Sequence, residues 1–237
     1  FYRSTDGGAP WTKSSAIGLT SPANINALAV DPNNSLVVYA GNFSGLFKST
    51  DGAANWTQIT LPVSFPSVFS IVFDPVTPAT IYLGSGNGVF KSTNSGSTWV
   101  TQNNFNVAGT PSVRVLAIDP TTPLTIYAGT SNNGLFKSTN GGGVWTAMNT
   151  GMGGPSPTNI NTIAIDPSNT ATLYTGHGFG GINKSINAAA SWAPLTNGVP
   201  QNQTVNAMVA TSSAVYVAFS NAGVIKSTNG GDTWSSA

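Results

Sequence analysis

The stretch LFKSTDGAANW, residues 46–56, decides how this chain folds, because related stretches return along the whole sequence. Six versions, called boxes below, each end in a tryptophan, and successive tryptophans are 45, 43, 46, 47 and 42 residues apart. A regular spacing of this kind indicates repeated structural units rather than a single site. The boxes are FYRSTDGGAPW (1–11), LFKSTDGAANW (46–56), VFKSTNSGSTW (89–99), LFKSTNGGGVW (135–145), INKSINAAASW (182–192) and VIKSTNGGDTW (224–234).

Two further segments repeat between the boxes, and both have the pattern of short strands. The first is an alternating run that usually ends in Asp-Pro: NALAVDP (26–32), FSIVFDP (69–75), RVLAIDP (114–120), NTIAIDP (161–167) and NAMVAT (206–211). The second is a β-branched run containing Tyr: LVVYAG (36–41), TIYLG (80–84), TIYAG (125–129), TLYTG (172–176) and AVYVAF (214–219). Short strands separated by turn residues indicate an all-β fold. Four strands in about 40–50 residues correspond to one blade of a β-propeller.

The order of these segments predicts five complete four-stranded blades and an N-terminal orphan hairpin. The predicted units of a single domain or fragment, 1–237, are a half blade 1–14 and blades 15–60, 61–102, 103–148, 149–196 and 197–237. Because sheets avoid unpaired edges, the hairpin needs a partner. Strands before residue 1 or after residue 237 would give at least six blades in the full protein. Alternatively, the hairpin 1–14 pairs with a neighbouring chain in a homo-oligomer or polymer.

The box resembles the Asp-box (BNR) repeat, Ser-x-Asp-x-Gly-x-x-Trp, of propellers in sialidases, xyloglucanases, sortilin-type receptors and photosystem II assembly factors. The resemblance implies a structural role, in which Asp or Asn accepts hydrogen bonds from the turn and Trp covers its inner side. Four boxes carry Asn in place of Asp, which argues against a cation site or a catalytic acid there. The structural residues are Ser4, Asp6, Trp11, Ser49, Asp51, Trp56, Ser92, Asn94, Trp99, Ser138, Asn140, Trp145, Ser185, Asn187, Trp192, Ser227, Asn229 and Trp234.

Composition excludes several classes of protein. Charged residues make up 6% and the net charge is +1, so the chain lacks the basic surface that nucleic acid requires. No apolar run approaches the ~20 residues of a membrane span. With one histidine and no cysteine, no metal site or cofactor is expected. A surface of Asn, Ser, Thr and Gly suits a secreted or cell-surface protein. Its sequons matter only in a host that glycosylates secreted proteins: Asn33, Asn42, Asn55, Asn183 and Asn202.

The carboxylates argue against catalysis by this chain. There is no Glu, and all seven Asp lie in Asp-Pro turns or boxes. These turns belong to one face of the disc, called the turn face, whereas the connections between strands 2 and 3 and between strands 4 and 1 form the loop face. Most glycosidases need two carboxylates about 5–9.5 Å apart. Sialidases use three arginines, and here only Arg3 and Arg114 exist. We therefore expect that the chain is not an enzyme.

The remaining candidates lie on the loop face. Xyloglucanases place a catalytic Asp near the connection between strands 2 and 3, where this chain has none. We expect a non-catalytic extracellular module that contacts protein or polysaccharide through these loops. The alternatives are a glycoside hydrolase-like propeller with catalytic residues outside this chain, and a subunit of a surface or filament assembly. Loop aromatics that could stack on a sugar are Phe43, Phe65 and Phe105. Candidate ligand-binding residues are Arg114, His177, Phe179, Asn42, Phe43, Asn87 and Asn132.

Overall fold

The structure, a computed structural model, describes residues 2–4, 6–13, 17–19, 24–64, 66–155 and 157–237. Phe65 and both ends of the expected half blade, Phe1 and residue 14, lie outside the described residues. The described part of the chain is built of strands and turns, with no helix. None of it could therefore cross a bilayer as a helix.

The strands form one two-stranded hairpin and five four-stranded sheets, which we call blades 1 to 5. The hairpin contains β1 (Tyr2–Arg3) and β2 (Thr12–Lys13). Blade 1 contains β3 (Ile25–Asp31), β4 (Asn34–Asn42), β5 (Gly45–Ser49) and β6 (Thr57–Ile59). Blade 2 contains β7 (Val68–Phe73), β8 (Ile81–Ser85), β9 (Gly88–Ser92) and β10 (Val100–Thr101). Blade 3 contains β11 (Val113–Ile118), β12 (Ile126–Thr130), β13 (Leu135–Ser138) and β14 (Thr146–Ala147).

Blade 4 contains β15 (Ile160–Ile165), β16 (Leu173–His177), β17 (Ile182–Ser185) and β18 (Ala193–Leu195). Blade 5 contains β19 (Val205–Ala210), β20 (Val215–Phe219), β21 (Val224–Ser227) and β22 (Ser235–Ser236). In every blade the strands are antiparallel and lie in chain order, so each blade is a meander. The all-β prediction of five four-stranded blades plus an N-terminal hairpin is confirmed. The residue limits of the blades and the number of blades in a full protein stay predictions.

Apolar residues pack mainly between successive blades rather than within one sheet. In the first such core, Tyr39 and Leu46 of blade 1 pack with Ile71 of blade 2. The first strands of successive blades also lie against one another, from β3 to β7 and onward to β19. The second strand of blades 2, 3 and 4 is buried along its whole length, because each lies between two other strands and two neighbouring blades. This packing holds each first strand at a fixed position around a common centre.

A repeated polar contact links each blade to the next. In blade 1, Tyr39 Oη and Lys48 Nζ both donate to the carbonyl of Ser95, in the box of blade 2, at 2.7 and 3.0 Å. The basic side chain therefore reaches a carbonyl, and its ammonium also lies 5.2 Å from the centre of the Tyr39 ring. Equivalent contacts join Lys91 and Tyr82 to Gly141, Lys137 to Ala188, Tyr174 to Gly230, and Arg3 of the hairpin to Gly52.

Each box is a turn organised by its serine. In blade 3, Ser138 Oγ donates to Asn140 Oδ1 at 2.9 Å and accepts from the Gly142 N–H at 2.9 Å. Asn140 Oδ1 also accepts from the Val144 N–H at 2.9 Å. The same serine contacts occur in the other boxes, whether the third residue is Asp or Asn. These contacts need an acceptor oxygen but not a charge.

The tryptophan is buried in four boxes and exposed in the first, and its expected covering of the turn stays a prediction. Trp56, Trp99, Trp145 and Trp192 are 0–7% exposed, whereas Trp11 is 63% exposed. Trp11 borders a cavity of about 530 Å³ between the hairpin and blade 1. Trp234 is half-buried. The buried Trp145 and Trp192 donate from Nε1 to the carbonyls of Gln102 and Met148, which directly follow the fourth strand of the preceding blade.

Candidate functional site

A β-bulge interrupts the first strand of every blade at the same repeat position. The pairing register between strands 1 and 2 shifts at this position in each of the five blades, and blade 1 has a second shift between Val30 and Asp31. Bulges are enriched beside functional sites because they change the direction of one side chain. The residues inside the five shifts are Asn26, Phe69, Arg114, Asn161 and Asn206.

These five bulge residues, together with Phe43, line one cavity of about 360 Å³, which we call the axial pocket. Because blades 1 and 5 both contribute, the pocket lies where all five blades meet. It opens on the loop face, since Phe43 follows the last residue of β4 and each bulge lies near the start of a first strand. Its volume is at the lower end of the range for small-molecule pockets.

Aromatic and cationic groups form one side of the axial pocket. The Arg114 guanidinium lies 5.6 Å from the centre of the Phe69 ring, and its Nε donates to Ser131 Oγ at 2.9 Å. Phe43 packs edge-on against Phe69, with ring centres 6.0 Å apart. Stacking on a guanidinium and edge-to-face packing both hold the Phe69 ring in place.

Amide side chains form the remaining lining of the axial pocket. Asn26 Nδ2 donates to the carbonyl of Val68 in blade 2, and Asn161 Nδ2 donates to that of Val205 in blade 5, both at 3.2 Å. Each amide nitrogen is thereby held by the next blade, and among the described residues no group donates to either amide oxygen. Asn206 is exposed at the equivalent position of blade 5.

A second cavity of about 540 Å³ adjoins this region on the loop face. Its lining includes Ser44 and Gly45 from the connection between β4 and β5, and residues from Gln58 to Pro66 after β5. Phe43 lines the axial pocket and the next residue, Ser44, lines the second cavity, so the connection between β4 and β5 contributes to both.

None of the seven Asp residues lines the axial pocket. Asp119 Oδ1 accepts from the backbone N–H groups of Thr121 and Thr122 at 2.9 and 3.1 Å. Burial opposes its ionisation, but the hydrogen bonds from Thr121 and Thr122 outweigh that effect and lower the pKa of Asp119. The backbone N–H of Asn55 and its side chain hold the pKa of Asp51 well below its usual range. These carboxylates stabilise turns as anions, which is the opposite of a general acid.

The turn face also contains phenols that stay protonated. Burial, assisted by Asp119, raises the pKa of Tyr127 to about 12. Burial raises the pKa of Tyr82 and Tyr174 to about 12 as well, with smaller contributions from nearby Asp. Among the described residues, no three His or Asp side chains are grouped so that they could hold a metal ion.

The structure corrects two of the candidate ligand residues. Asn42 and His177 were expected in loops, but they are the last residues of β4 and β16 and are 1% and 0% exposed. His177 Nε2 lies 2.7 Å from Asn183 Nδ2 and 3.1 Å from Thr175 Oγ1. Because the second strand runs one residue further than the sequence pattern suggests, both side chains enter the interior and cannot contact a ligand directly.

The other candidates are distributed over the loop face. Arg114 and Phe43 are brought together in the axial pocket. Phe179 is 66% exposed in the connection after β16, and Asn87 and Asn132 are exposed in the matching connections of blades 2 and 3. None of these three lines the axial pocket. Their part in ligand binding stays a prediction. Phe105 is 7% exposed and stacks on Trp145, so it is not available to a sugar.

Sequence reasoning missed four of the residues that form the axial pocket: Asn26, Phe69, Asn161 and Asn206. All four share the repeat position of Arg114, so the signal was present in the alignment of the repeats. The bulge itself could not be predicted, because the Asn, Phe and Arg found at this position share no feature that indicates one.

Solved structures with the same architecture cover nearly the whole chain. An ancestral GH74 enzyme matches with a TM-score of 0.80 at 24% identity, over 99% of this chain and 35% of that chain. The GH74 xyloglucanase from Xanthomonas campestris matches with a TM-score of 0.78 at 17% identity, over 99% and 41%. The fold is a β-propeller. YCF48 bound to D1 peptide matches with a TM-score of 0.66 at 14% identity, over 92% and 68%.

These identities show the fold, and the chain spans about two fifths or less of the two GH74 structures. No family model matches the sequence. No curated protein matches it either. The expectation that the chain is not an enzyme is wrong in its reasoning, because GH74 enzymes contain this propeller over 99% of its length. This chain matches only 35–41% of such a protein, so the carboxylates of this chain alone do not exclude catalysis by the protein.

Proposed function

We propose that this chain is part of a glycoside hydrolase-like propeller and supplies a polysaccharide-binding surface of that enzyme. The observation that carries the proposal is the axial pocket, where five equivalent bulges direct amide, aromatic and guanidinium side chains to one point on the loop face. Aromatic rings stack on sugars, while amide oxygens accept from sugar hydroxyls. The similarity of the propeller to GH74 enzymes supports the reaction class.

In this proposal the acid and base of hydrolysis come from residues outside this chain. Hydrolysis by the common mechanisms needs two carboxyl groups about 5–9.5 Å apart across the bond that is cleaved. The axial pocket has no carboxylate in its lining, and Asp51, Asp119 and Asp166 have lowered pKa values. The role left to this chain is to bind and orient a sugar chain at the axial pocket, with the cavity beside the connection between β4 and β5 as a second contact surface.

Polysaccharide binding can be measured by electrophoresis through gels that contain a soluble polysaccharide, either neutral, such as xyloglucan, or acidic, such as polygalacturonate. We expect the chain to be retarded, and Phe69→Ala to weaken retardation about threefold to tenfold, as expected for loss of one aromatic contact. Val76→Ala is the matched control, because Val76 is 71% exposed in a turn between strands 1 and 2. Absence of retardation in every glycan, or equal effects of the two substitutions, would contradict the proposal.

Three further assignments belong to the same proposal. The six boxes are Asp-box repeats with a structural role, supported by the serine and Asp or Asn contacts within each turn. The protein is extracellular, supported by the 6% content of charged residues and the GH74 similarity. Of the sequons, Asn42 and Asn183 are buried, which leaves Asn33, Asn55 and Asn202 accessible to glycosylation.

A protein partner is the second candidate, because one similar propeller was solved with a bound peptide. The hairpin offers a surface for such a contact, since Tyr2 and Trp11 are 60% and 63% exposed beside the 530 Å³ cavity. Assembly of copies through the hairpin predicts a mass above that of the monomer at high concentration. Sedimentation that stays monomeric at millimolar concentration would remove assembly of copies through the hairpin.

A further inference from the structure

Arg114 is unusual among the five bulge residues that form the axial pocket. The other four positions carry Asn26, Phe69, Asn161 and Asn206, so Arg114 is the pocket's one charged lining residue. The whole chain has only two arginines, and the other, Arg3, donates to the carbonyl of Gly52 between the hairpin and blade 1. A cation at the centre of a carboxylate-free face needs an explanation.

The contacts of the Arg114 guanidinium leave part of it available to a ligand. Ser131 accepts from Nε, and Phe69 lies against the guanidinium. Within the described part of the chain, the hydrogen bond to Ser131 is the one that the guanidinium makes, so both Nη nitrogens keep their donors. Two parallel N–H donors match the two oxygens of a carboxylate, and this bidentate geometry is the preferred partner of arginine.

The neighbouring amides add a second requirement on the ligand. Asn26 and Asn161 each donate one N–H to a backbone carbonyl of the next blade, which fixes the orientation of the amide, and within the described residues neither amide oxygen accepts a hydrogen bond. Carbonyl oxygens accept from hydroxyl groups and repel carboxylates. A ligand that satisfies the whole lining therefore has one carboxylate for Arg114, several hydroxyls for the amides and an apolar face for Phe43 or Phe69. A uronic acid residue has all three.

We propose that the axial pocket binds a uronic acid residue of an acidic polysaccharide, with its carboxylate on the Nη nitrogens of Arg114. This inference rests on the proposed function and narrows its substrate class from polysaccharides in general to those with carboxylate-bearing sugars. Ser131 and Phe69 act as positioning residues, because they fix the orientation of the guanidinium through Nε and through its face.

The test compares trigalacturonate with its trimethyl ester, in which each carboxylate is replaced by an uncharged methyl ester, by isothermal titration at low salt. We expect wild type to bind trigalacturonate about tenfold more tightly than the ester, as loss of one charge-assisted pair implies. R114Q should abolish this preference and retain binding of the ester. K13Q is the matched control, because Lys13 is an exposed cation in β2 and its replacement removes the same charge; its preference should equal that of wild type.

The outcomes separate this inference from the proposed function. Equal affinity of wild type for the two ligands would overturn the uronate assignment and leave polysaccharide binding intact. A preference that persists in R114Q, or is lost equally in K13Q, would also overturn it. Absence of binding to both ligands, together with absence of retardation by neutral glucans, would overturn the proposed function itself. An acidic peptide that binds through Arg114 more tightly than trigalacturonate would replace sugar by protein as the ligand.

Discussion

The box of the N-terminal hairpin and the box of blade 3 form the same turn in different surroundings. Ser4 and Ser138 make equivalent hydrogen bonds, to Asp6 and Gly8 in the first case and to Asn140 and Gly142 in the second. Yet Trp11 is 63% exposed, whereas Trp145 is fully buried. Trp145 stacks on Phe105 and donates from Nε1 to the carbonyl of Gln102 at 2.8 Å.

The hydrogen-bonded turn is local structure, whereas burial of its tryptophan depends on packing. The turn forms from residues within one box, so the hairpin has it even without strands 1 and 2 of a blade. Burial of the tryptophan requires the segment that precedes it in space, which for Trp145 includes Gln102 and Phe105 from the connection between blades 2 and 3. The same distinction predicts unequal effects for matched substitutions in the two boxes.

The largest difference is expected for the tryptophans. Trp145→Ala should destabilise the fold by about 3–5 kcal/mol, because it removes a fully buried aromatic side chain. Trp11→Ala should change stability by less than about 0.5 kcal/mol, as substitutions at exposed positions usually do. Urea denaturation followed by far-UV circular dichroism measures both. Equal losses would show that the hairpin is as tightly packed as a complete blade.

Substitution of the box serines measures how much the turn contributes to stability. Ser138→Ala should cost about 1–3 kcal/mol, because Ser138 is 1% exposed and its loss leaves the buried Gly142 N–H without an acceptor. Ser4 is only half-buried, so water can replace its hydroxyl in Ser4→Ala and the cost should stay below about 1 kcal/mol. The same denaturation experiment applies. A larger loss for Ser4→Ala would reverse the comparison.

Blades 3 and 4 differ in the residue that adopts a positive φ in the turn of the box. Ala188 has φ 54° in the box of blade 4, where blade 3 has Gly141 at φ 68°. Since L-residues are disfavoured in this region, Ala188→Gly should stabilise by about 0.5–1 kcal/mol. Gly141→Ala should destabilise by about 1 kcal/mol or more, because a Cβ there would also lie 3.1 Å from Lys91 Nζ. Thermal melts of the two variants should move in opposite directions.

The smallest effect is a pH dependence that blade 3 has through Asp119 in its turn between strands 1 and 2. The folded-state pKa of Asp119 is lowered, so its contribution is fully present above the unfolded pKa of about 3.9 and is lost as pH falls below it. Asp119→Asn should therefore flatten the decline of stability between about pH 4 and pH 2. Urea midpoints across this range measure it. An unchanged acid decline would mean that other groups are responsible.

Much of the fold could be predicted because each signal is local and repeated. The Asp-Pro turns, the Ser and Asp or Asn of each box and the alternating strands recur in chain order, and the order alone led to five blades and a hairpin. Asn42 and His177 were misplaced because one more residue of a second strand has no distinct composition. The part of Phe179, Asn87 and Asn132 in binding is still a prediction.

By itself, the sequence determined the class of fold, the number of complete blades and the residues that form each turn, because turns depend on side chains within a few positions of one another. Which of these repeated positions lie close together in space depends on the tertiary structure. Asn26 and Asn206 are far apart in the chain, yet both line the axial pocket with Arg114. Neither the bulges nor the exposure of Trp11 can be read from one repeat, since both depend on the strands and blades that pack beside it.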